Sequence, residues 1–329
     1  MRAIVYTEYG PPDVLQFTEV EKPTPGDNEV LIKIRAASVN PLDWHFVRGE
    51  PFFIRLMIGS MLKPKVTRLG VDVAGQVEAV GRNVREFKPG DEVFGACRGS
   101  FAEYVCASKD KLVLKPASIS FEDAASVPVA ALTALQGLRD KGRIQKDHKV
   151  LVDGASGGVG TFAIQIAKSF GAEVTAVCST GKVDTARSIG ADHVIDYTRE
   201  NFTQSGKRYN LILGANAYHS IFEYRRALSH DGIFVGAGGD GDQSLPGILL
   251  EILVQSLLSM TGSRKLRTFM ANINQKDLVC LKDLLAAGKI VPVIDRRYPL
   301  NDVAGALRYL EEGHAGGKVV ITVEHRSEP

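Results

Sequence analysis

The sequence is poor in cysteine and lacks the spacings that cysteine-based sites need. Its 4 Cys are Cys97, Cys106, Cys178 and Cys280, with no Cys-x-x-Cys pair and no short Cys/His spacing. This pattern predicts neither a structural zinc site nor a disulfide framework, and it favours reduced thiols. We therefore expect no bound metal.

Neither sign of charge is in excess, and no stretch is apolar enough to span a membrane. The 40 Lys and Arg against 38 Asp and Glu leave a formal net charge of +2, which argues against nucleic acid as a partner. The most apolar stretch, 245–260, contains Pro246, Glu251 and Gln255 and is shorter than the roughly 20 residues of a transmembrane helix. We interpret it as a buried helix and strand, or as a subunit contact. The N-terminus shows no signal or transit pattern, so we expect a cytoplasmic location.

The composition is that of a folded protein with about two domains. Hydrophobic residues make up 44% and charged residues 24% of the 329 positions, as in globular proteins. The chain up to about residue 115 is predicted to form short strands, such as 30–34 and 75–81, separated by turns at 23–26 and 88–91. This first part therefore resembles an antiparallel barrel.

Strands and helices alternate after residue 116. Strands are predicted at 149–153, 174–178, 193–195, 209–213, 232–236 and about 257–262, and helices near 122–138, 159–170, 182–189, 218–228 and 246–255. Such alternation predicts right-handed crossovers and a six-stranded parallel sheet, doubly wound as in dinucleotide-binding domains.

The tail returns to mixed structure, with predicted helices at 276–287 and 303–312 and a final strand at 318–323. About 65 residues are few for an independent domain. We therefore assign residues 1–121 and 266–329 to one barrel-like catalytic domain. Residues 122–265 form a Rossmann domain inserted into it, and the expected fold class is α/β.

A glycine-rich loop provides the sharpest local signal. It follows the strand at 149–153, precedes a helix, and runs through Ala155, Ser156, Gly157, Gly158, Val159 and Gly160. Ala155, Gly157 and Gly160 fit the three glycine positions of a dinucleotide loop, in which free N–H groups at the helix start hold the pyrophosphate. No Lys-Ser or Lys-Thr pair follows, so a Walker-type site is not expected.

The end of the next strand indicates which dinucleotide binds. NADH sites commonly place Asp or Glu here to bind the ribose 2′-hydroxyl, but this chain has Ser179, Thr180, Gly181 and Lys182. Ser179 can hydrogen-bond a 2′-phosphate and Lys182 can neutralise it, so NADPH is favoured. Alternatively, Ser179 only caps a helix and Lys182 is a solvated surface charge.

Further segments occur in a characteristic order along the chain. They are YGPPDVL at 9–15, ASVNPLDW at 37–44, GVDVAGQV at 70–77, VPVAALTALQ at 127–136, GADHVIDY at 190–197 and GKVV at 317–320. With them, the sequence resembles the medium-chain dehydrogenase/reductase superfamily, in its zinc-independent quinone oxidoreductase-like branch. The resemblance implies a chaperonin-10-like antiparallel barrel domain beside the Rossmann domain.

The resemblance also implies roles for individual residues. Lys182 and Tyr197 would contact the 2′-phosphate side of the coenzyme, and Thr133 would lie near the nicotinamide. Gly236 and Ala237 would line the coenzyme site. Asn40 and Asp43 would be the catalytic polar pair that faces nicotinamide and substrate, with the proton supplied by solvent, Asp43 or His45.

Zinc-containing relatives differ from this chain at two ligand positions. They carry Cys where this chain has Asn40, and Gly-His-Glu where it has 70–72, Gly-Val-Asp. Without zinc nothing stabilises an alkoxide, so alcohol oxidation is disfavoured. Hydride transfer to an electron-poor acceptor needs no metal.

These expectations define one function and two alternatives. The sequence predicts an NADPH-dependent reductase, a homodimer, acting on quinones or other activated α,β-unsaturated carbonyl compounds such as enones and enals. The alternatives are an enoyl-thioester reductase and an NADPH-binding interaction protein of the crystallin type with little turnover.

Overall fold

The computed structural model describes residues 1–57, 61–65, 67–237, 254–255, 258 and 262–325. Its strands are β1 (Arg2–Val5), β2 (Gln16–Glu19), β3 (Glu29–Val39), β4 (Asp72–Val80), β5 (Glu92–Ala96), β6 (Tyr104–Ser108), β7 (Leu112–Leu114), β8 (Lys149–Asp153), β9 (Glu173–Cys178), β10 (His193–Asp196), β11 (Tyr209–Gly214), β12 (Leu228–Gly236), β13 (Lys265–Thr268), β14 (Ile294–Pro299) and β15 (Lys318–Thr322). Its helices are α1 (Pro41–Arg48), α2 (Phe53–Met57), α3 (Phe121–Ala125), α4 (Pro128–Gln136), α5 (Gly158–Ser169), α6 (Val183–Ser188), α7 (Ile221–Ala227), α8 (Gln275–Ala286) and α9 (Val303–Glu311). Among these described residues, no helix has the length and apolar character needed to cross a membrane.

The chain divides into two compact units. Unit 1 comprises Met1–Val129, Ile273–Gly288 and the chain from Ile294 onward, and unit 2 comprises Ala130–Asn272 and Lys289–Val293. The domain limits expected from the sequence, 121/122 and 265/266, stay a prediction.

Unit 1 is built on an antiparallel sheet. Its strands follow the order β14-β15-β3-β4-β5-β7, β6 pairs with β3, and the one parallel pair within this sheet is β14 with β15. Val30, Ile32 and Ile34 on β3 are fully buried and belong to a hydrophobic core that also contains Phe101 and Leu307. The antiparallel arrangement expected from the amino-terminal third is confirmed.

Unit 2 is a doubly wound parallel sheet. Its order is β10-β9-β8-β11-β12-β13, with every neighbouring pair parallel, which is the strand order of dinucleotide-binding domains. The central strands β8 and β11 are buried along almost their whole length, as expected when helices cover both faces. The expected fold class is therefore confirmed.

Two predicted elements are wrong in detail. The sixth strand is Lys265–Thr268 rather than 257–262, where only residues 258 and 262 are described. The single helix expected at 122–138 is broken into α3 and α4, because Pro128 lacks an N–H and disfavours helical backbone at the residue before it. The helix expected at 246–255 lies almost entirely outside the described residues.

Candidate coenzyme and catalytic site

The glycine loop lies at the carboxyl end of β8, between this strand and α5. Gly154 has φ +77°, and a Cβ there would lie 2.7 Å from Cβ of Asn216. A Cβ on Gly160 would lie 2.1 Å from the Gly154 carbonyl oxygen, so α5 can approach the loop backbone only with glycine at 160. Gly157 differs, because among the described residues other than its chain neighbours the atom nearest to a Cβ there would be the Gly154 carbonyl oxygen, at 3.6 Å.

The start of α5 offers donors for an anion. The N–H groups of the first helical turn, which includes Gly158, Val159 and Gly160, have no acceptor within the helix, and this turn carries no acidic residue. Ala155 plays a different part, since it is fully buried and its N–H donates to Val177 O at 3.0 Å. The open space at Gly157 and the unused N–H groups fit the pyrophosphate of a dinucleotide.

The ends of β9 and β10 present three side chains without partners. Ser179 and Lys182 are half-buried, and Tyr197 is 61% exposed. Within the described part of the chain, their hydroxyl and ammonium groups make no hydrogen bond or ion pair. No acidic residue lies in the turn from Ser179 to Lys182. This edge can therefore accept a phosphate on the ribose of a dinucleotide.

The other predicted coenzyme residues also belong to unit 2. Thr133 lies on α4 and is 9% exposed. Gly236 ends β12, where it pairs with Gly214 and Thr268, and the Ala237 N–H donates to Gly214 O at 2.9 Å. Because the carboxyl ends of parallel strands share one edge of the sheet, the residues that follow β8, β9, β10 and β12 lie along that edge. Their contacts with a coenzyme stay a prediction.

The predicted catalytic residue Asn40 belongs to a buried polar network in unit 1. Its Nδ2 donates to Asp72 Oδ2 at 2.9 Å, and its Oδ1 accepts from Lys318 Nζ at 2.7 Å. Asp72 Oδ2 also accepts from Ser38 Oγ at 2.7 Å and from Lys318 Nζ at 3.2 Å, and its Oδ1 accepts from the Val129 N–H at 2.9 Å. Asn40 and Lys318 are each 3% exposed, and Ser38 and Asp72 are fully buried. The amide of Asn40 is thus fixed in orientation by Asp72 and Lys318.

The predicted catalytic residue Asp43 lies in the first turn of α1 and is fully buried. Its Oδ2 accepts from the Asn40 N–H at 2.8 Å and its Oδ1 from the Gly70 N–H at 3.2 Å. Burial raises the pKa of Asp43 to about 7, and the neighbouring Asp72 carboxylate acts in the same direction. The two N–H donors and Lys318 oppose this shift. Asp43 can therefore gain or lose a proton near neutral pH.

The other candidate proton source, His45, has a defined contact. Its Nδ1 lies 2.8 Å from Glu50 O, and its ring stacks on Trp44 with centroids 3.7 Å apart. Asn40 and Asp43 are brought together as expected, but their catalytic role stays a prediction.

Sequence reasoning did not identify the charged partners of Asn40. The sequence comparison sets Asp72 against a zinc-ligand position of the zinc-containing relatives, but it does not pair Asp72, Lys318 or Ser38 with Asn40. The available signal was a lysine at the start of strand β15, directly before three buried hydrophobic residues, Val319, Val320 and Ile321. The sequence likewise gives no sign that Asp196, at the end of β10, links two loops.

Comparison with known proteins agrees with this architecture. Residues 26–117 match the alcohol dehydrogenase GroES-like domain family, and residues 189–321 match the zinc-binding dehydrogenase family. The chain is 36% identical to a 2-methylene-furan-3-one reductase of Solanum lycopersicum, over 98% of this chain and 79% of the relative. It is 35% identical to the chloroplastic quinone-oxidoreductase QR1 of Triphysaria versicolor, over 98% of each chain. The solved structure of Escherichia coli quinone oxidoreductase complexed with NADPH superposes with a TM-score of 0.81, at 27% identity, over 98% of this chain and 100% of that one.

The fold, the glycine loop and these relatives define the class of protein. The chain belongs to the medium-chain dehydrogenase/reductase superfamily, in its quinone oxidoreductase-like branch. It is an NAD(P)H-dependent oxidoreductase.

Proposed function

We propose that this enzyme is an NADPH-dependent, zinc-independent reductase of quinones or other activated α,β-unsaturated carbonyl compounds. The observation that carries the proposal is the end of β9, where Ser179 and Lys182 offer a hydroxyl and an ammonium group with no carboxylate beside them in the turn. A carboxylate there would favour the 2′-hydroxyl of NADH and repel the 2′-phosphate of NADPH.

The buried network around Asn40 supports chemistry without zinc. The Lys318 ammonium already bonds Asn40 Oδ1 and Asp72 Oδ2, the oxygen atoms that a cation at this position would need. A zinc ion would have to displace that ammonium from a site where both partners are buried. In addition, no group of three or more His, Cys, Asp or Glu with metal-binding geometry occurs among the described residues.

The relatives support the substrate class. One is named for a 2-methylene-furan-3-one and another for quinones, and both kinds of molecule contain a carbonyl group conjugated with a carbon–carbon double bond. Such acceptors are already electron-poor, so they take up a hydride without a Lewis acid.

The chain's own residues have binding, orienting and proton-transfer roles in this reaction. Bound NADPH supplies the hydride, and one proton completes the two-electron reduction of the acceptor. Asp43, with a pKa of about 7, and His45 are the proton sources that we propose beside solvent. Asn40, held by Asp72 and Lys318, would orient the acceptor. Binding and orientation would supply most of the rate enhancement.

The test is turnover by the purified protein. NADPH is mixed with a panel of quinones, enals, enones and enoyl thioesters, and loss of nicotinamide absorbance is followed. We expect turnover of quinones or conjugated carbonyl compounds that exceeds turnover of thioesters. Faster thioester turnover would favour an enoyl-thioester reductase. Tight NADPH binding without turnover of any acceptor would reject the proposal and favour an interaction protein.

The coenzyme assignment has a separate test. Lys182→Ala should weaken NADPH binding by about 1.5–3 kcal/mol, the value of a charged hydrogen bond, and leave NADH binding nearly unchanged. Equal losses for both coenzymes would reject the contact with the 2′-phosphate.

The proposal also covers the oligomeric state, the cellular location and the domain limits of the enzyme. We propose a homodimer in the cytoplasm, with a catalytic domain at 1–121 and 266–329 and an NADP-binding domain at 122–265. Light scattering on the purified protein tests the dimer, and a monomer at micromolar concentration would reject it.

A further inference from the structure

The Asp196 carboxylate ties together the loops that follow β9 and β10. Asp196 is the last residue of β10 and pairs with Cys178, the last residue of β9. Its Oδ2 accepts from Thr180 Oγ1 at 2.6 Å. Its Oδ1 accepts from the Thr198 N–H at 3.0 Å and from Thr198 Oγ1 at 2.7 Å. One side chain thus holds the backbone of its own loop and the hydroxyl of the neighbouring one.

The two tied loops carry the side chains that have no partner. Ser179 and Lys182 belong to the same short turn as Thr180, and Tyr197 lies between Asp196 and Thr198. Because these side chains are not held by any described neighbour, the position of their backbone decides which points they can reach. Asp196 binds the backbone N–H of Thr198 and the hydroxyl of Thr180, so it ties the two loops to each other.

Both oxygens of the Asp196 carboxylate accept hydrogen bonds. Besides the threonine donors, Arg199 Nε lies 3.5 Å from its Oδ2. The pKa of Asp196 is held below its ordinary value, mainly by the hydrogen bond from the Thr180 hydroxyl. Three hydrogen bonds from Thr180 and Thr198 thus use most of the acceptor sites of this carboxylate, in contrast to the acid of NADH sites, which binds the ribose 2′-hydroxyl. The adjacent Arg199 also offsets the repulsion that this negative charge would exert on a phosphate.

We propose that Asp196 is a positioning residue for coenzyme choice, which sets Lys182 and Tyr197 to receive a 2′-phosphate by tying their two loops through Thr180 and Thr198. The inference rests on the proposed NADPH preference and deepens it. Asp196 acts through the other residues and makes no contact with the coenzyme.

The experiment measures the dissociation constants of NADPH and NADH by titration calorimetry for the full-length protein. Asp196→Asn and Thr180→Val should each raise the Kd of NADPH by about tenfold, the loss expected for one hydrogen bond to a charged group. The Kd of NADH should stay unchanged. Thr180→Ser keeps the hydroxyl, so it should retain the preference of the unmodified protein.

The matched control is Asp192→Asn. Asp192 immediately precedes the same strand at its other end, where it accepts from Lys168 Nζ at 2.8 Å and from the Val174 N–H at 2.7 Å. It ties β10 to β9 as Asp196 does, but at the opposite end of both strands from Ser179, Lys182 and Tyr197. We expect its substitution to leave the ratio of the two Kd values unchanged.

The outcomes separate this inference from the proposed function. If the unmodified protein binds NADPH and NADH equally, the 2′-phosphate site itself is wrong. If it prefers NADPH and Lys182→Ala abolishes the preference, but Asp196→Asn and Thr180→Val leave it intact, only the positioning role is wrong. Equal weakening of both coenzymes by Asp196→Asn, or an equal change of preference in Asp192→Asn, would show a general structural role and overturn the inference.

Discussion

Lys318→Met removes the only positive side chain in the described network around Asn40. The ammonium group donates to Asn40 Oδ1 at 2.7 Å, to Asp72 Oδ2 at 3.2 Å and to Val39 O at 3.3 Å. The substitution keeps most of the aliphatic side chain, so the main loss is electrostatic. Asp72 then carries a negative charge at a fully buried position without a positive partner in the network.

The magnitude follows from what remains around Asp72. Breaking a buried ion pair by removing one partner costs about 3–5 kcal/mol. Three donors stay in place, from Ser38, Asn40 and Val129, and they continue to stabilise the carboxylate. We therefore expect a loss near the lower limit, about 3 kcal/mol in the free energy of unfolding. The double substitution with Asp72→Asn should lose less than the sum of the two single ones, because no unpaired charge is left.

The assay is urea unfolding followed by tryptophan fluorescence. Trp44 is the single tryptophan of the chain and belongs to unit 1, as the network does, so its signal reports on the unit that is changed. Arg82→Met is the control, because Arg82 forms an exposed pair with Asp27, with side chains 78% and 48% exposed. Such pairs contribute about 0–1 kcal/mol. A Lys318→Met variant as stable as this control, or fully additive losses in the double variant, would refute the reasoning.

Three further predictions concern a buried acid and two glycines. Because burial raises the pKa of Asp43 from about 4 in the unfolded chain to about 7, its contribution to stability is present below pH 4 and lost as pH rises through 7. The Trp44-detected loss of stability between pH 5 and 8 should be smaller in Asp43→Asn, and equal pH slopes would contradict the shift. Gly160→Ala should destabilise unit 2 by about 3 kcal/mol, since its Cβ would meet the Gly154 carbonyl oxygen at 2.1 Å; circular dichroism during heating tests this, and an unchanged melting temperature would contradict it. Gly157→Ala should change the free energy of unfolding by no more than about 1 kcal/mol, and yet it should weaken NADPH binding about tenfold. An unchanged affinity in titration calorimetry would show that the pyrophosphate does not approach this residue.

The sequence alone determined the fold class and the position of the glycine loop, because both depend on local patterns. Alternating apolar strands and amphipathic helices specify a parallel sheet wherever they occur, and the loop follows β8 within the same short stretch of chain. The same patterns located α5, β9 and β10 to within a residue or two. They placed the sixth strand at about 257–262, at the end of the mostly apolar stretch 245–260, whereas it lies at Lys265–Thr268.

Only the tertiary structure decided which side chains are partners. Lys318 and Asn40 are 278 positions apart, and no local pattern indicates that this lysine is buried against an amide and a carboxylate. The antiparallel pairing of β15 with β3 brings them together. Likewise, Asp196 meets Thr180 because β10 pairs with β9 in register. Hydrogen bonds between distant residues depend on strand pairing and burial, which a linear pattern does not encode. The sequence therefore predicted the residue types at the ends of β9 and β10, and the fold determined what holds them in position.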